Sequence, residues 1–342
     1  MSGLNQLVDE GTIEWLLEKE NPSVRLFTLE NLLGKTALHP EVLETRKDVM
    51  FRGIVPAILG RQDESGYWCE AERFYLEKYE GTVWQLLILA ELGCAPEDER
   101  IRRACTFILE NSQDLESYGF AVHRSGKNGG GRHSEVIPCL TGNMTWSLIR
   151  LGFMHDDRVQ QALDWICRYQ RSDDGGTTPP RTWPYERLEA CWGRHSCHMG
   201  VVKALKALAA IPPDERSGAV RNKISELAEY LLVHRIFKRS HAPEAISKPG
   251  WLRFGFPLMY QTDVLEITSI LTGLGYRDSR MDEALALIRS KQGADKRWKM
   301  ENTFNGKMIV DIEIKGAPSK WITAKALRVL LMDQEPVKLQ RA

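Results

Sequence analysis

The chain has 342 residues, of which 43% are hydrophobic and 27% charged, and its 46 Lys and Arg residues balance its 46 Asp and Glu residues. This length exceeds that of most single-core domains, so we expect two domains or a repeated architecture. The balanced charge provides no general attraction for nucleic acid or an anionic membrane, and we expect neither as a partner.

No stretch of sequence approaches the ~20 apolar residues that a membrane-spanning helix needs, so no transmembrane segment is expected. The sequence begins MSGLNQLVDEG, which has neither the basic start nor the apolar core of a secretory signal. The seven cysteines are therefore expected to be reduced thiols or metal ligands in a cytoplasmic protein.

Six apolar segments predict helices of one kind, and most of them end in a Leu-Gly pair. They cover residues 24–34, 82–93, 143–152, 200–209, 264–275 and 321–331. A terminal Gly suits a helix C-cap, where the chain takes the left-handed conformation that Gly adopts freely.

A second, amphipathic helix is predicted after several of these segments, over residues 101–110, 159–169 and 281–290. Asp and Pro precede these helices and are typical of N-caps and first turns. The second helix often ends at a Gln followed by a loop with Gly or an aromatic residue. Such loops are Gln62 to Trp68, Gln170 to Trp183 and Gln292 to Trp298.

Two helices for each repeat, with no strand-like alternation of useful length, predict an all-α fold. The repeat of 50 to 60 residues is too long for the common helical solenoids. We expect about six helical hairpins in a closed ring, with the apolar helices inside and the amphipathic helices outside. Long loops at 114–138, 171–192 and 237–259 argue against an open solenoid. The whole chain, 1–342, is expected to be one domain, in which residues 1–50 pack on the ring or complete it.

These features resemble a known superfamily. The Gln-to-Trp loops are similar to the repeat motif of squalene and oxidosqualene cyclases, and the helical rhythm resembles that of protein prenyltransferase β subunits. The resemblance covers roughly residues 50 to 331 and implies an (α/α)6 toroid. It implies the fold more strongly than the function.

One cluster of cysteines and histidines is expected at the mouth of the ring, because consecutive inner helices begin at the same rim. Cys139 precedes the third apolar segment, and the run Cys191, His195, Cys197, His198 precedes the fourth. Thiolates and imidazoles at such spacing suit a tetrahedral zinc ion.

The resemblance to prenyltransferases implies a particular ligand set. Their β subunits hold zinc with an Asp-x-Cys and a His-x-Cys, and Cys139 and His195 match that Cys and that His. Ile137 stands where the family has Asp, so Cys191 or Cys197 would supply the missing ligand. The alternative is that these cysteines pack in the core like other buried thiols.

Further candidates lie before the fifth and sixth apolar segments. Asp263 is the best single acid of the expected cavity, while Tyr260 or Arg253 could steady a leaving group, and His198 is a third catalytic candidate. Basic and aromatic side chains could hold a diphosphate head and an apolar tail, and ordinary surface or core roles are the alternative. These expected substrate-binding residues are Arg253, Lys238, Arg239, Lys320, Trp251 and Trp192.

Three functions follow. The first is a zinc-dependent transferase of the prenyltransferase type, acting on an apolar, isoprenoid-like substrate and working with or without a protein partner. The second is an enzyme resembling terpene or squalene cyclases that uses Asp263 as its acid, although the Asp-x-Asp-Asp motif of those cyclases is absent. The third is a non-enzymatic toroid that binds a lipid or a partner.

Overall fold

The computed structural model describes residues 2–127 and 129–334, and in these residues the chain is mostly helical, with one two-stranded sheet. This confirms the all-α class. The helices are α1 (Ser2–Leu7), α2 (Glu10–Leu16), α3 (Pro22–Asn31), α4 (Pro40–Phe51), α5 (Ile54–Leu59), α6 (Thr82–Leu92), α7 (Glu99–Asn111), α8 (Pro138–Leu148), α9 (Asp157–Tyr169), α10 (Glu189–Trp192), α11 (His198–Ala209), α12 (Gly218–Val233), α13 (Val264–Gly273), α14 (Asp282–Ser290) and α15 (Lys320–Gln334).

The sheet is a short antiparallel hairpin inside the long loop after α12, formed by β1 (Lys238–Arg239) and β2 (Ala242–Ile246). This hairpin is the one sheet in the described residues, and it leaves the all-α class unchanged. The five residues of β2, Ala-Pro-Glu-Ala-Ile, are too few to give a clear alternation. No helix in the described part of the chain is long and apolar enough to cross a bilayer.

The six predicted apolar segments form α3, α6, α8, α11, α13 and α15. The Gly residues predicted as helix stops adopt positive φ angles, 74° at Gly93, 87° at Gly152 and 89° at Gly275. Helix α8 continues into a π-helical turn, Ile149–Phe153, and the backbone leaves the helical conformation within this turn at Gly152. These positions therefore end helices for the backbone reason that the sequence suggested.

The starts of the amphipathic helices share one cap. An Asp side chain accepts the backbone N–H of an Arg two residues later, and its carboxylate also pairs with the guanidinium of that Arg. The three caps are Asp98 with Arg100 for α7, Asp156 with Arg158 for α9, and Asp278 with Arg280 before α14.

Gln62 and Gln292, and Gln113 at the end of α7, bond distant parts of the chain. Gln62 and Gln113 donate through Nε2 to carbonyls in the first turns of α7 and α9, which also accept within those helices, whereas Gln292 donates to a carbonyl that the end of α1 leaves free. The bonds run from Gln62 to Arg100 (2.9 Å), from Gln113 to Arg158 (2.7 Å) and from Gln292 to Leu7 (3.0 Å).

In two of these loops, the Trp side chain bonds the end of the helix that precedes the loop. The indole N–H of Trp68 donates to the carbonyl of Ile58, and that of Trp298 donates to the carbonyl of Ile288, so each bonds the end of the preceding helix. The loop from Gln170 departs from this pattern, because the Trp183 indole donates instead to the carbonyl of His133.

The apolar helices contact one another in chain order: α6 with α8, α8 with α11, α11 with α13, α13 with α15, and α15 with α3. The Cδ2 atom of Leu26 in α3 lies 3.3 Å from where a Cβ at Gly93, just after α6, would stand. Helices α1 and α2 also pack on α15. The apolar helices α6 and α8 are buried around most of their circumference. The amphipathic helices α7 and α9 bury only one face.

Candidate functional site

A cavity of about 340 Å³ is lined by all six apolar helices. Its apolar wall includes Phe27, Trp146 and Leu265. Much of the remaining wall is charged. The charged side chains are those of Glu30, Glu91, Arg150, Lys206, Asp263, Glu266, Lys325 and Arg328. Ligand pockets are usually apolar with a few polar groups, so this cavity suits a ligand that itself carries charge.

Four of these charged side chains and Lys203 form one buried network that ties α6, α11, α13 and α15 together. Glu266 pairs with Lys203 at 2.7 Å and with Lys206 at 3.1 Å. Glu91 pairs with Lys206 at 2.6 Å and with Lys325 at 2.7 Å. The Lys203 side chain is 0% exposed and that of Glu266 is 8% exposed. Full desolvation makes the loss of any one partner costly.

The pKa values of the network follow from burial and mutual attraction. Burial alone would raise the pKa of Glu91, but the ammonium groups of Lys206 and Lys325 hold it well below its usual range. Burial lowers the pKa of Lys203, an effect that the Glu266 carboxylate partly offsets. The carboxylates are therefore ionised at neutral pH, and their charge is balanced by lysine.

Asp263 caps α13 at the cavity wall. Its Oδ1 accepts the backbone N–H of Glu266 at 2.8 Å and its Oδ2 accepts that of Gly255 at 3.0 Å. Burial raises the pKa of Asp263 to about 7, although the two amides and the Lys325 ammonium pull it down. A substantial fraction of this carboxyl group is therefore protonated near neutral pH, as a general acid requires.

The predicted metal ligands are not gathered in one place. Burial is the main cause that raises the pKa of Cys139, and the nearby thiols of Cys197 and Cys191 raise it further. His195 is not with them, because it lies on the surface with its Nδ1 3.3 Å from Oδ1 of Asp174.

Among residues 2–127 and 129–334, no group of three or more His, Cys, Asp and Glu side chains is arranged to hold a metal ion. The His195 side chain is exposed and contacts Asp174. The set Cys139, Cys191, His195 and Cys197 therefore lacks support from the structure and stays a prediction. Zinc itself stays a prediction for metal analysis.

The thiols border an aromatic group at the start of the apolar helices. Burial is the main cause that raises the pKa of Tyr75, and Cys139 and Tyr260 add to it. The Tyr260 ring lies 6.1 Å from that of Trp84, and the Lys78 ammonium lies 5.1 Å from its centroid. Burial raises the pKa of Cys191 to about 11, so its thiol is neutral at physiological pH.

His198 is enclosed by other rings, with Trp251 at 4.4 Å and His234 at 5.3 Å between centroids. Burial lowers the pKa of His198 to about 3, and the neighbouring His234 and Lys248 add to the effect. The imidazole is therefore neutral near pH 7, and the catalytic role expected of His198 stays a prediction.

The predicted substrate-binding residues do not converge on the cavity. Lys238 pairs with Glu283 at 2.8 Å, and Lys320 is buried against Glu18 and the Trp15 ring. These contacts do not support the expected diphosphate set, which stays a prediction. The exposed side chains are Arg239 and Arg253, and the buried ones are Trp192 and Trp251.

The cavity residues that sequence reasoning missed are Glu91, Arg150, Lys206, Glu266, Lys325 and Arg328. One signal was available. Lys203 and Lys206 interrupt an otherwise apolar helix, and a charge at such a position is buried only when it is paired.

Comparisons with known proteins add solved structures but no family. No family model and no curated protein matches the chain. Fourteen chains of solved structures match. An arginine variant of type II terpene cyclase MstE from Scytonema, in complex with geranylgeranyl dihydroxybenzoate, is 12% identical, with 82% of this chain and 95% of that chain covered and a TM-score of 0.30.

Two further matches are of the same order. The apo form of a tyrosine variant of MstE is 13% identical, with 81% of this chain and 94% of that chain covered and a TM-score of 0.31. A protein from Actinoplanes is 10% identical, with 81% and 96% covered and a TM-score of 0.27. These scores are too low to assign a fold or a reaction, so both are argued from this chain's own residues.

Proposed function

We propose that the chain is an α/α toroid of six helical hairpins that binds an isoprenoid-like molecule in its interior and protonates it with Asp263, in the manner of a terpene cyclase. The observation that carries the proposal is a protonatable carboxyl group, Asp263, in the wall of a cavity that six apolar helices share.

The contacts around the chain support the ring. Each apolar helix packs on the next, α15 packs on α3, and the Gln292 side chain bonds the carbonyl of Leu7. In this arrangement α7, α9, α12 and α14 form the outer layer, and the N-terminal helices supply the outer partner of α15. The first segment of the chain thereby completes the last hairpin.

The proposed chemistry needs one acid and one proton acceptor. The carboxyl proton of Asp263 adds to one carbon of a double bond, and the resulting carbocation is captured by a second double bond, which closes a ring. Loss of a proton from a neighbouring carbon to water or to the Asp263 carboxylate then restores the alkene. The product is an isomer of the substrate, and no leaving group departs.

The zinc-dependent transferase has weaker support, because the His195 imidazole contacts Asp174 at the protein surface. The two reactions differ in stoichiometry. Prenyl transfer releases diphosphate and joins two molecules, whereas protonation of an alkene releases nothing. The products therefore distinguish the two reactions whichever isoprenoid chain is the substrate.

The test incubates the protein with all-trans polyprenyl chains that carry a diphosphate or a benzoate head group, followed by mass spectrometry and diphosphate assay. We expect a product of unchanged mass and new retention time, formed without diphosphate release. Asp263→Asn keeps an oxygen for the Glu266 amide but has no acidic proton, and should be slower by a factor of about 10² to 10⁴.

The matched control is Asp278→Asn, because Asp278 is also a helix-capping aspartate but lies outside the cavity beside Arg280. Its rate should equal that of the parent. An isomer formed equally well by Asp263→Asn would exclude the acid role, and diphosphate release with prenyl transfer would favour the transferase instead.

A further inference from the structure

Two arginines of the cavity wall are left without a carboxylate. Glu91 and Glu266 are paired with lysines, and Glu30 is paired with Arg46. Asp263 accepts two backbone amides. In the described part of the chain, neither Arg150 nor Arg328 forms an ion pair, although both line the cavity.

Arg328 is held in place by neutral groups. Its Nη1 donates to the Ser269 hydroxyl at 3.3 Å, and a Cβ at Gly273 would lie 3.4 Å from its Nη2. The guanidinium therefore lies against the backbone of α13, at a point where the residue lacks a side chain. Burial lowers the pKa of Arg328, and the charge of the nearby Arg150 lowers it further.

The surplus of positive charge is a property of the whole wall. Six basic side chains either line the cavity or pair with a lining acid, against four acidic ones, and Asp263 is only partly ionised near pH 7. Two neighbouring guanidiniums repel each other unless an anion lies between them. Their planar donor forks match the oxygens of a carboxylate or a phosphate.

We propose that Arg150 and Arg328 bind the anionic group of the cavity's ligand, a carboxylate or a diphosphate, and so place the rest of the molecule against Asp263. The inference rests on the proposed ligand-binding role of the cavity and not on the acid chemistry of Asp263. It moves the anion site away from Arg253 and Lys238, where the sequence had suggested it.

The test measures binding of two probes by isothermal titration calorimetry at fixed ionic strength, because charge attraction is screened by salt. Octanoate represents a carboxylate with an apolar tail, and inorganic diphosphate represents the phosphorylated head. We expect at least one probe to bind. Arg150→Gln and Arg328→Gln should each weaken that binding about tenfold or more, since each removes a charge-assisted hydrogen bond.

The exposure of Arg150 and two further variants separate the possible outcomes. Arg150 is exposed, so its substitution should leave the fold intact even if that of the more buried Arg328 does not. Arg328→Lys keeps the charge without the fork and should bind at an intermediate level. Arg187→Gln changes an exposed arginine outside the cavity and should bind like the parent.

The two proposals fail separately. Asp263→Asn should retain probe binding even though it loses turnover, so an inert enzyme with intact anion binding would refute only the acid role. Which probe binds identifies the source of the anion. Failure of both probes to bind, or equal binding by the parent, Arg150→Gln and Arg328→Gln, would overturn the anion site.

Discussion

Replacing Glu266 with Gln should destabilise the protein strongly, because it leaves a buried ammonium group unpaired. The Lys203 side chain is 0% exposed and Glu266 is its only ion-pair partner in the described chain, with both carboxylate oxygens within 2.9 Å of Nζ. Lys206 loses one partner in the same variant but keeps Glu91 at 2.6 Å.

The size of the effect can be estimated. Removing one partner of a buried pair costs about 3–5 kcal/mol. Unfolding entropy of about 2.1 cal/mol/K per residue gives about 0.7 kcal/mol/K for a chain of this length, so we expect the melting temperature to fall by about 4–7 °C.

Lys203→Met is the informative comparison. It removes the buried charge that needs compensation and leaves Glu266 paired with Lys206 at 3.1 Å, so it should cost less than Glu266→Gln. The double variant should recover part of the loss, because it contains no unpaired Lys203 ammonium.

Thermal and urea unfolding followed by circular dichroism measure these differences, with calorimetry as a check on cooperativity. If the melting temperature of Glu266→Gln fell by less than about 1 °C, the change would be too small for the loss of a buried ion pair and would refute the network as described. So would a larger loss for Lys203→Met than for Glu266→Gln.

Four further outcomes are expected. Asp263 has a folded pKa of about 7 against about 4 unfolded, so its stabilising contribution is complete below about pH 4 and is lost as pH rises through 7; between pH 5 and 8 the melting temperature of the parent should fall more than that of Asp263→Asn. Gln113→Leu should cost about 1–3 kcal/mol in urea unfolding, since it removes the side-chain hydrogen bonds to the Tyr118 and Arg158 carbonyls. Gly142→Ala should destabilise by about 1–3 kcal/mol or more, because its Cβ would lie 2.4 Å from α11, whereas Gly218→Ala, with open space around it, should be neutral or slightly stabilising. Metal analysis should show that His195→Ala leaves the metal content of the protein unchanged, and zinc lost with that change would restore His195 as a ligand.

The helices could be predicted because their signals are local. A Gly that ends an apolar run acts through its own backbone, as at Gly93, and the Asp98 cap involves a residue two positions away. The Gln-to-Trp loops are local in part, because the Trp68 and Trp298 side chains bond the helix just before the loop. The bond from Gln62, in contrast, reaches a carbonyl 38 residues away. The fold class followed from such features.

The cavity could not be predicted, because its contacts join distant positions. Lys203 and Glu266 are 63 residues apart, and Lys325 and Glu91 are 234 apart. The lysines of α11 stand out in an apolar helix, but nothing in the sequence names their acidic partners. His195 shows the converse, because it is close in sequence to two cysteines while its ring contacts Asp174.

The bond from Gln292 to Leu7 constrains how such a molecule can change in evolution. In an open array of repeats, a unit can be gained or lost, because each unit touches only its neighbours and the ends carry separate caps. Here the last helical pair has the chain's beginning as its neighbour, so an added or deleted unit would pull α15 away from α3. A change in the number of helical pairs would therefore have to keep the packing of α15 on α3.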